Sequence, residues 1–147
     1  MLKNKDNQES FKTSPFGRLP VSRVMETAVR TEGLNARADL LTSLLMEGFG
    51  SVPIVDSENR LVGIVSEFDL LNAIREGKVL GDLRAGDIIT NNPLSVTEDT
   101  DMFAVIEIIQ NNHLIRVPVV NSSGKLVGIV ARRDILRGYL HTQSTST

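Results

Sequence analysis

Asp69 and Asp134 each follow a small residue by three positions, Ser66 and Ala131, and the two aspartates stand 65 positions apart. On spacing alone, Ser66-x-x-Asp69 is close to a capping box, in which a hydroxyl and a carboxylate satisfy free N–H groups at a helix start. An acid in a first helical turn is favourable there with no ligand at all. Asp134 argues gently for more, because Ala131 has no side chain to cap with and the carboxylate is still present. Catalysis would require a nucleophile with a base in reach, or a carboxylate pair or histidine sharing one pocket. The chain has no cysteine, no Gly-x-Ser-x-Gly, no His-Glu-x-x-His and no Walker lysine. His113 reads as a C-terminal helix cap and His141 as part of a tail. The segment Gly48-Phe49-Gly50-Ser51 lacks the remaining glycines, the lysine and the following helix of a phosphate-cradling loop. Two lone histidines and no thiolate give no metal site. Binding, not chemistry, is the expected output, and the chain is read as a non-enzyme.

The elements that position these residues come in duplicate. Val52 to Ile74 recurs 65 positions later as Val117 to Tyr139, with 11 identities and no gap, including Pro53/Pro118 and Gly63/Gly128. Each copy opens with a short amphipathic piece, Leu19 to Met25 or Leu83 to Thr90. An extended segment follows, Ala28 to Thr31 or Leu94 to Thr97. Next comes a helix, capped by Asn35 in copy one and by Asp99 or Thr100 in copy two. Leu40, Leu41 and Leu44 match Val105, Ile106 and Ile109 as one buried stripe. Two apolar runs around a short polar turn predict a hairpin of buried strands, with Pro53 and Pro118 at strand entry and Gly63 and Gly128 permitting close packing or a bulge. A last helix carries Phe68, Leu70, Leu71 and Ile74, matched by Ile135, Leu136, Tyr139 and Leu140. Arg132, Arg133 and Arg137 also read as a solvated helix face. The fold class is α+β with α/β-type layers: two tandem β-α-β-β-α repeats related by a pseudo-twofold axis. The expected boundaries are a flexible segment 1–17, repeats 18–78 and 79–140, and a flexible tail 141–147.

At 147 residues the chain can bury one respectable core or two small ones that share an interface. Sixteen basic and 18 acidic residues, net charge -2, give no reason to invoke nucleic acid or an anionic membrane. The polar N-terminus lacks a signal-peptide core, and no stretch approaches the length of a bilayer span. A soluble cytoplasmic protein is expected.

The order of elements, the Val-Pro-[Val/Ile]-Val-[Asp/Asn] strand, the Leu-Val-Gly-Ile-Val strand and the small-x-x-Asp opening the last helix resemble the cystathionine β-synthase (CBS) domain. Two in tandem look like a Bateman module, and the likeness covers about Val21 to Leu140. The resemblance implies a sensor in which AMP, ADP, ATP, S-adenosylmethionine or a related adenosyl compound sits in a cleft between the copies and changes the shape of a partner protein. Carried onto this chain, it implies two unequal sites. Site one joins Ser66 and Asp69 to residues near Thr90, Leu94, Ile115 and Arg116. There the carboxylate takes both ribose hydroxyls, Ser66 and the helix end face phosphate oxygens, and Arg116 offers paired donors to phosphate. Site two joins Asp134 and its neighbours Arg132 and Arg133 to residues near Val29, Gly50 and Ser51. Ala131 removes the hydroxyl and Ser51 replaces the arginine, so site one is expected to be the stronger. The resemblance also implies a homodimer formed through the repeat helices, with head-to-head or head-to-tail pairing left open. The rival reading is a dimerisation or scaffold protein that keeps the fold without a ligand. A missing effector domain of enzymatic or nucleic-acid-linked type has no support in the sequence.

Overall fold

The computed structural model describes residues 2–89 and 93–145. In chain order the elements are α1 (Leu2–Thr13), α2 (Ala38–Met46), β1 (Ser51–Val55), β2 (Leu61–Ser66), α3 (Glu67–Arg75), α4 (Ala85–Ile88), β3 (Val96–Thr97), α5 (Met102–Asn111), β4 (Arg116–Val120), β5 (Leu126–Ala131) and α6 (Arg132–Thr145). Single 3-10 turns span Val21–Arg23 and Leu80–Asp82. The chain resolves into two compact units. One comprises residues 1–27, 96–119 and 127–147, the other residues 28–95 and 120–126.

This partition is not the repeat partition expected from the sequence. Each repeat's leading segment packs into the unit built by the other repeat's helices and hairpin. In the first unit, Glu26 exchanges backbone hydrogen bonds with Ile129 of β5, and Val21 lies in a core with Met102, Val105, Val117 and Ile135. In the second, Ala38 N–H donates to the Leu83 carbonyl and Ala85 N–H to that of Ala36, placing α4 beside α2. Gly63 and Gly128 are where these leading segments land. A methyl on Gly63 would come within 2.8 Å of Ile89 Cβ, and one on Gly128 within 2.6 Å of Met25 Sδ. The reading of both glycines as close-packing positions therefore agrees with the structure. Residues 120–126, the turn of the second hairpin, join the second unit: Leu61 N–H donates to the Gly124 carbonyl and Leu126 N–H to that of Asn59, while the Asn59 amide returns a bond to the Leu126 carbonyl.

Several expectations are corrected. Residues 1–17 are not without purchase: α1 sets Phe11 within 6.0 Å of the Phe103 ring, and Phe16 is buried with its ring edge-on to Tyr139. Phe11 and Phe16 are the docking residues, and their isolation in a polar segment hid them. The helix extends through the expected tail as far as Thr145. The caps are Arg37, which lends no side-chain bond to α2, and Asp101, whose carboxylate accepts from Ala104 N–H. In α2 and α5 the buried positions Ala38, Leu41 and Leu45 answer to Met102, Val105 and Ile109, an offset of 64 rather than 65, because α5 is one residue longer than α2. Leu40 is accordingly 42% exposed. The first strand of copy one is reduced to a bridge of Glu32 with Ile54, leaving a two-stranded sheet β1-β2 against the three-stranded β3-β4-β5.

Candidate functional site

In the second unit, antiparallel pairing sets Ser51 directly opposite Ser66, and a bulge lies at Ile54/Val55, away from that end. β2 runs without a break into α3, so the open mouth of the hairpin and the N-terminus of the helix are the same place. Asp69, in the first turn, reaches back: its Oδ2 accepts from Ser66 N–H at 2.8 Å and from the Ser66 hydroxyl at 2.9 Å. Among the described residues no donor reaches its other oxygen. Across the strands Ser51 is 8% exposed, and its hydroxyl has no hydrogen-bond partner among the described residues. A buried hydroxyl without a partner costs about 1–3 kcal/mol. Gly50 is half-buried beside it, Val29 is half-buried, and Leu94 is exposed. Thr90 lies outside the described residues.

The first unit carries the duplicate of this arrangement with different chemistry. Asp134 Oδ2 accepts from Ala131 N–H at 2.8 Å, and its Oδ1 lies 3.5 Å from the Arg137 guanidinium. The Ile115 carbonyl accepts from Arg132 N–H at 3.1 Å, which occupies one lone pair of a group expected to read an adenine edge. Arg132 Nε donates to the Leu114 carbonyl at 2.6 Å. Arg116 is half-buried and Arg133 exposed, and neither has an ion-pair partner among the described residues.

The structure thus brings together Ser51, Ser66 and Asp69 on one hairpin, and Ile115, Arg132 and Asp134 on the other. Ser51 and Ser66, expected at different sites, are cross-strand neighbours, a register that the repeat itself implies once its two runs are paired antiparallel. Asp69 itself is half-buried at the start of its helix. A third aspartate in the same pose was missed: Asp87 Oδ2 accepts from Arg84 N–H at 2.8 Å at the start of α4. Among the described residues there is no group of three His, Cys, Asp or Glu side chains able to hold a metal, and no helix is long and apolar enough to cross a membrane.

Comparison with known proteins agrees with this architecture. The chain is 33% identical over 121 residues to an uncharacterized 17.7 kDa protein of Acidianus ambivalens, covering 82% of this chain and 73% of that one. It spans a smaller share, 46%, of a Methanopyrus kandleri relative that is 34% identical over 91 residues and 61% of this chain. Among solved structures it resembles the Arabidopsis thaliana CBS-pair protein CBSX2 in complex with AMP, with TM-score 0.77 and 29% identity over 84% of this chain and 98% of that one. It also resembles the CBS domain pair of MJ0100 in complex with 5-methylthioadenosine and S-adenosyl-L-methionine, with TM-score 0.73 and 26% identity over 82% and 99% of the two chains. The family profile of the CBS domain matches residues 38–76 and 85–141. A duplicated hairpin-and-helix unit that accounts for both matched segments makes this chain a member of the CBS-domain family, carrying two copies.

Proposed function

We propose that this chain is a regulatory module that binds an adenosyl ligand of the AMP, ADP, ATP or S-adenosylmethionine class at its hairpin mouths and modulates a separate protein. The observation that carries the reading is the buried Ser51 hydroxyl facing Ser66, beside an Asp69 carboxylate, where among the described residues neither the hydroxyl nor the second carboxylate oxygen has a hydrogen-bond partner. In this reading the free oxygen of Asp69 accepts from the ribose diol and Ser51 supplies the missing bond to a ligand heteroatom. Phosphate or a second anionic group faces the N–H groups at the start of α3. The pre-proline residues and the small-x-x-Asp of the same hairpin are thereby assigned to one site. The other mouth offers Arg116, Arg133 and Asp134 without a hydroxyl, and with Arg137 already beside the carboxylate. Two AMP- or S-adenosylmethionine-bearing relatives of over 25% identity support the ligand class.

One observation favours a second reading, a scaffold without ligand. Asp69, Asp134 and Asp87 all spend an oxygen on an N-cap N–H, a role complete in itself. Titration calorimetry of AMP, ADP, ATP and S-adenosylmethionine against wild type, Asp69→Ala and Asp134→Ala separates the two. Saturable heat for an adenosyl compound, weakened about tenfold or more by Asp69→Ala, is expected; no heat from any of them leaves the scaffold. A ligand that regulates must bind one conformation of the module more tightly than another, which small-angle scattering with and without ligand would register. We further assign the protein to the cytoplasm and propose that it self-associates through its exposed helix faces.

A further inference from the structure

The two hairpin mouths are built on one plan and charged in opposite senses. At the 65-residue offset, Ser51, Glu67, Phe68 and Asn72 of the first copy stand where the second carries Arg116, Arg132, Arg133 and Arg137. The aspartate common to both, Asp69 or Asp134, holds the same pose in each. The Asp69 mouth therefore has two acids, Asp69 and Glu67, and no base among the matched positions. Glu67 is exposed and has no ion-pair partner among the described residues. Cations on neighbouring stretches are engaged elsewhere. Arg30, on the segment that bridges to β1, lies 3.7 Å from Glu32, and Arg75, at the far end of α3, donates to Asn72 at 3.0 Å. The Asp134 mouth sets four arginines against its one acid. Arg132 is anchored there by bonds to the Leu114 and Ile115 carbonyls, and Arg137 stands beside Asp134. Arg116 and Arg133 have no ion-pair partner among the described residues.

Resting on the reading that both mouths take adenosyl compounds, we propose that they sort those compounds by charge. The Asp134 mouth takes phosphate-bearing nucleotides, the Asp69 mouth takes the sulfonium compound S-adenosylmethionine, and one chain holds one of each. A phosphate monoester carries a charge of about −1.5 to −2 at neutral pH. Guanidinium groups meet it with paired donors, whereas Glu67 and Asp69 repel it. S-adenosylmethionine is a net cation, since its sulfonium and ammonium outweigh a single carboxylate. That carboxylate is then the anionic group facing the start of α3, and the two acids answer the positive centres. Ser51, buried and neutral where the other copy has a guanidinium, leaves a hydroxyl without a partner among the described residues. It offers the ligand a hydrogen bond and adds no charge. Each mouth thus rejects the other's ligand as well as attracting its own, which is how a difference in affinity becomes specificity.

Titration calorimetry on the intact chain at low salt tests this, with AMP and S-adenosylmethionine given singly and then each to protein saturated with the other. Both are expected to bind, and neither to shift the other's affinity by more than about threefold, because they occupy different mouths. Asp69→Ala is expected to remove the heat of S-adenosylmethionine and Asp134→Ala that of AMP. Arg133→Glu should weaken AMP about tenfold, and Glu67→Arg should weaken S-adenosylmethionine about threefold or more. Competition between the two compounds, binding of only one, loss of both to the same aspartate variant, or indifference to both charge reversals would overturn the sorting and leave adenosyl binding standing. No heat from either compound would overturn the underlying reading, and the sorting with it. Should a variant fail to fold, the competition titration on the wild type decides alone.

Discussion

Ser51 buries a hydroxyl that has no hydrogen-bond partner among the described residues. Replacing it with alanine removes an unsatisfied buried group at nearly constant volume. Ser51→Ala is therefore expected to stabilise the ligand-free protein by about 1 kcal/mol, raising Tm by roughly 2–5 °C, while weakening adenosyl ligands; a lower Tm would show that the hydroxyl has a structural partner. Asp69→Ala carries the opposite sign on stability. It loses the two bonds to Ser66, so a cost of about 1 kcal/mol in urea unfolding is expected, alongside the loss of ligand heat. Cooperative unfolding should survive both changes. Much of this was legible from residue types, in the paired small-x-x-Asp motifs. The unpartnered state of Ser51 was not, because satisfaction of a hydroxyl depends on what lies across the strand and not on its neighbours in sequence.

Hairpin turns repeat a single device with one titratable copy. Asp56 Oδ1 accepts from the N–H groups of Glu58 and Arg60, and Asn121 Oδ1 does the same for Ser123 and Lys125. The bond from Arg60 N–H, followed by that from Glu58 N–H and the Arg60 guanidinium, outweighs desolvation and holds the Asp56 carboxyl below its ordinary value of 3.8. A folded-state value below the unfolded one contributes stability above pH 3.8 that is lost as pH falls through the folded value. Asp56→Asn, which copies the second turn, is expected to keep the fold and flatten that acid limb in thermal melts taken between about pH 5 and pH 2. Gly63 tests the other end of the hairpin. A methyl there meets the β-branched Ile89 at Cβ, which has no flexible end to yield, so Gly63→Ala is expected to cost about 1–3 kcal/mol in denaturant unfolding. Strands and final helices were readable because their apolar runs repeat in register. The α2–α5 offset was not, since the one extra residue of α5 shifts the helices against the strands while identities lie only in the strands.

Molecule-wide, the exchange of leading segments means that neither sequence repeat is a folding unit. Residues 1–78 lack Ile89 and Ala85 for their own hairpin and helix, and residues 79–147 lack Val21 and Met25 for theirs. Each piece alone is expected to give a non-cooperative melt by circular dichroism, while the two mixed should recover a cooperative transition; cooperative folding of either piece alone would count against the exchange. Pattern reading found two copies of one fold but drew the boundary at the end of a repeat, because similarity marks what was copied and says nothing about which copy a segment touches. That same exchange bears on descent. A gene that had merely been doubled could shed one copy and fall back on the other, whereas here each core holds residues of both copies, Val21 in one and Ala85 in the other. The two copies are in this sense interlocked: each mouth carries its own residues, Ser66 in one and Ala131 in the other, while each core depends on a segment borrowed from the other copy.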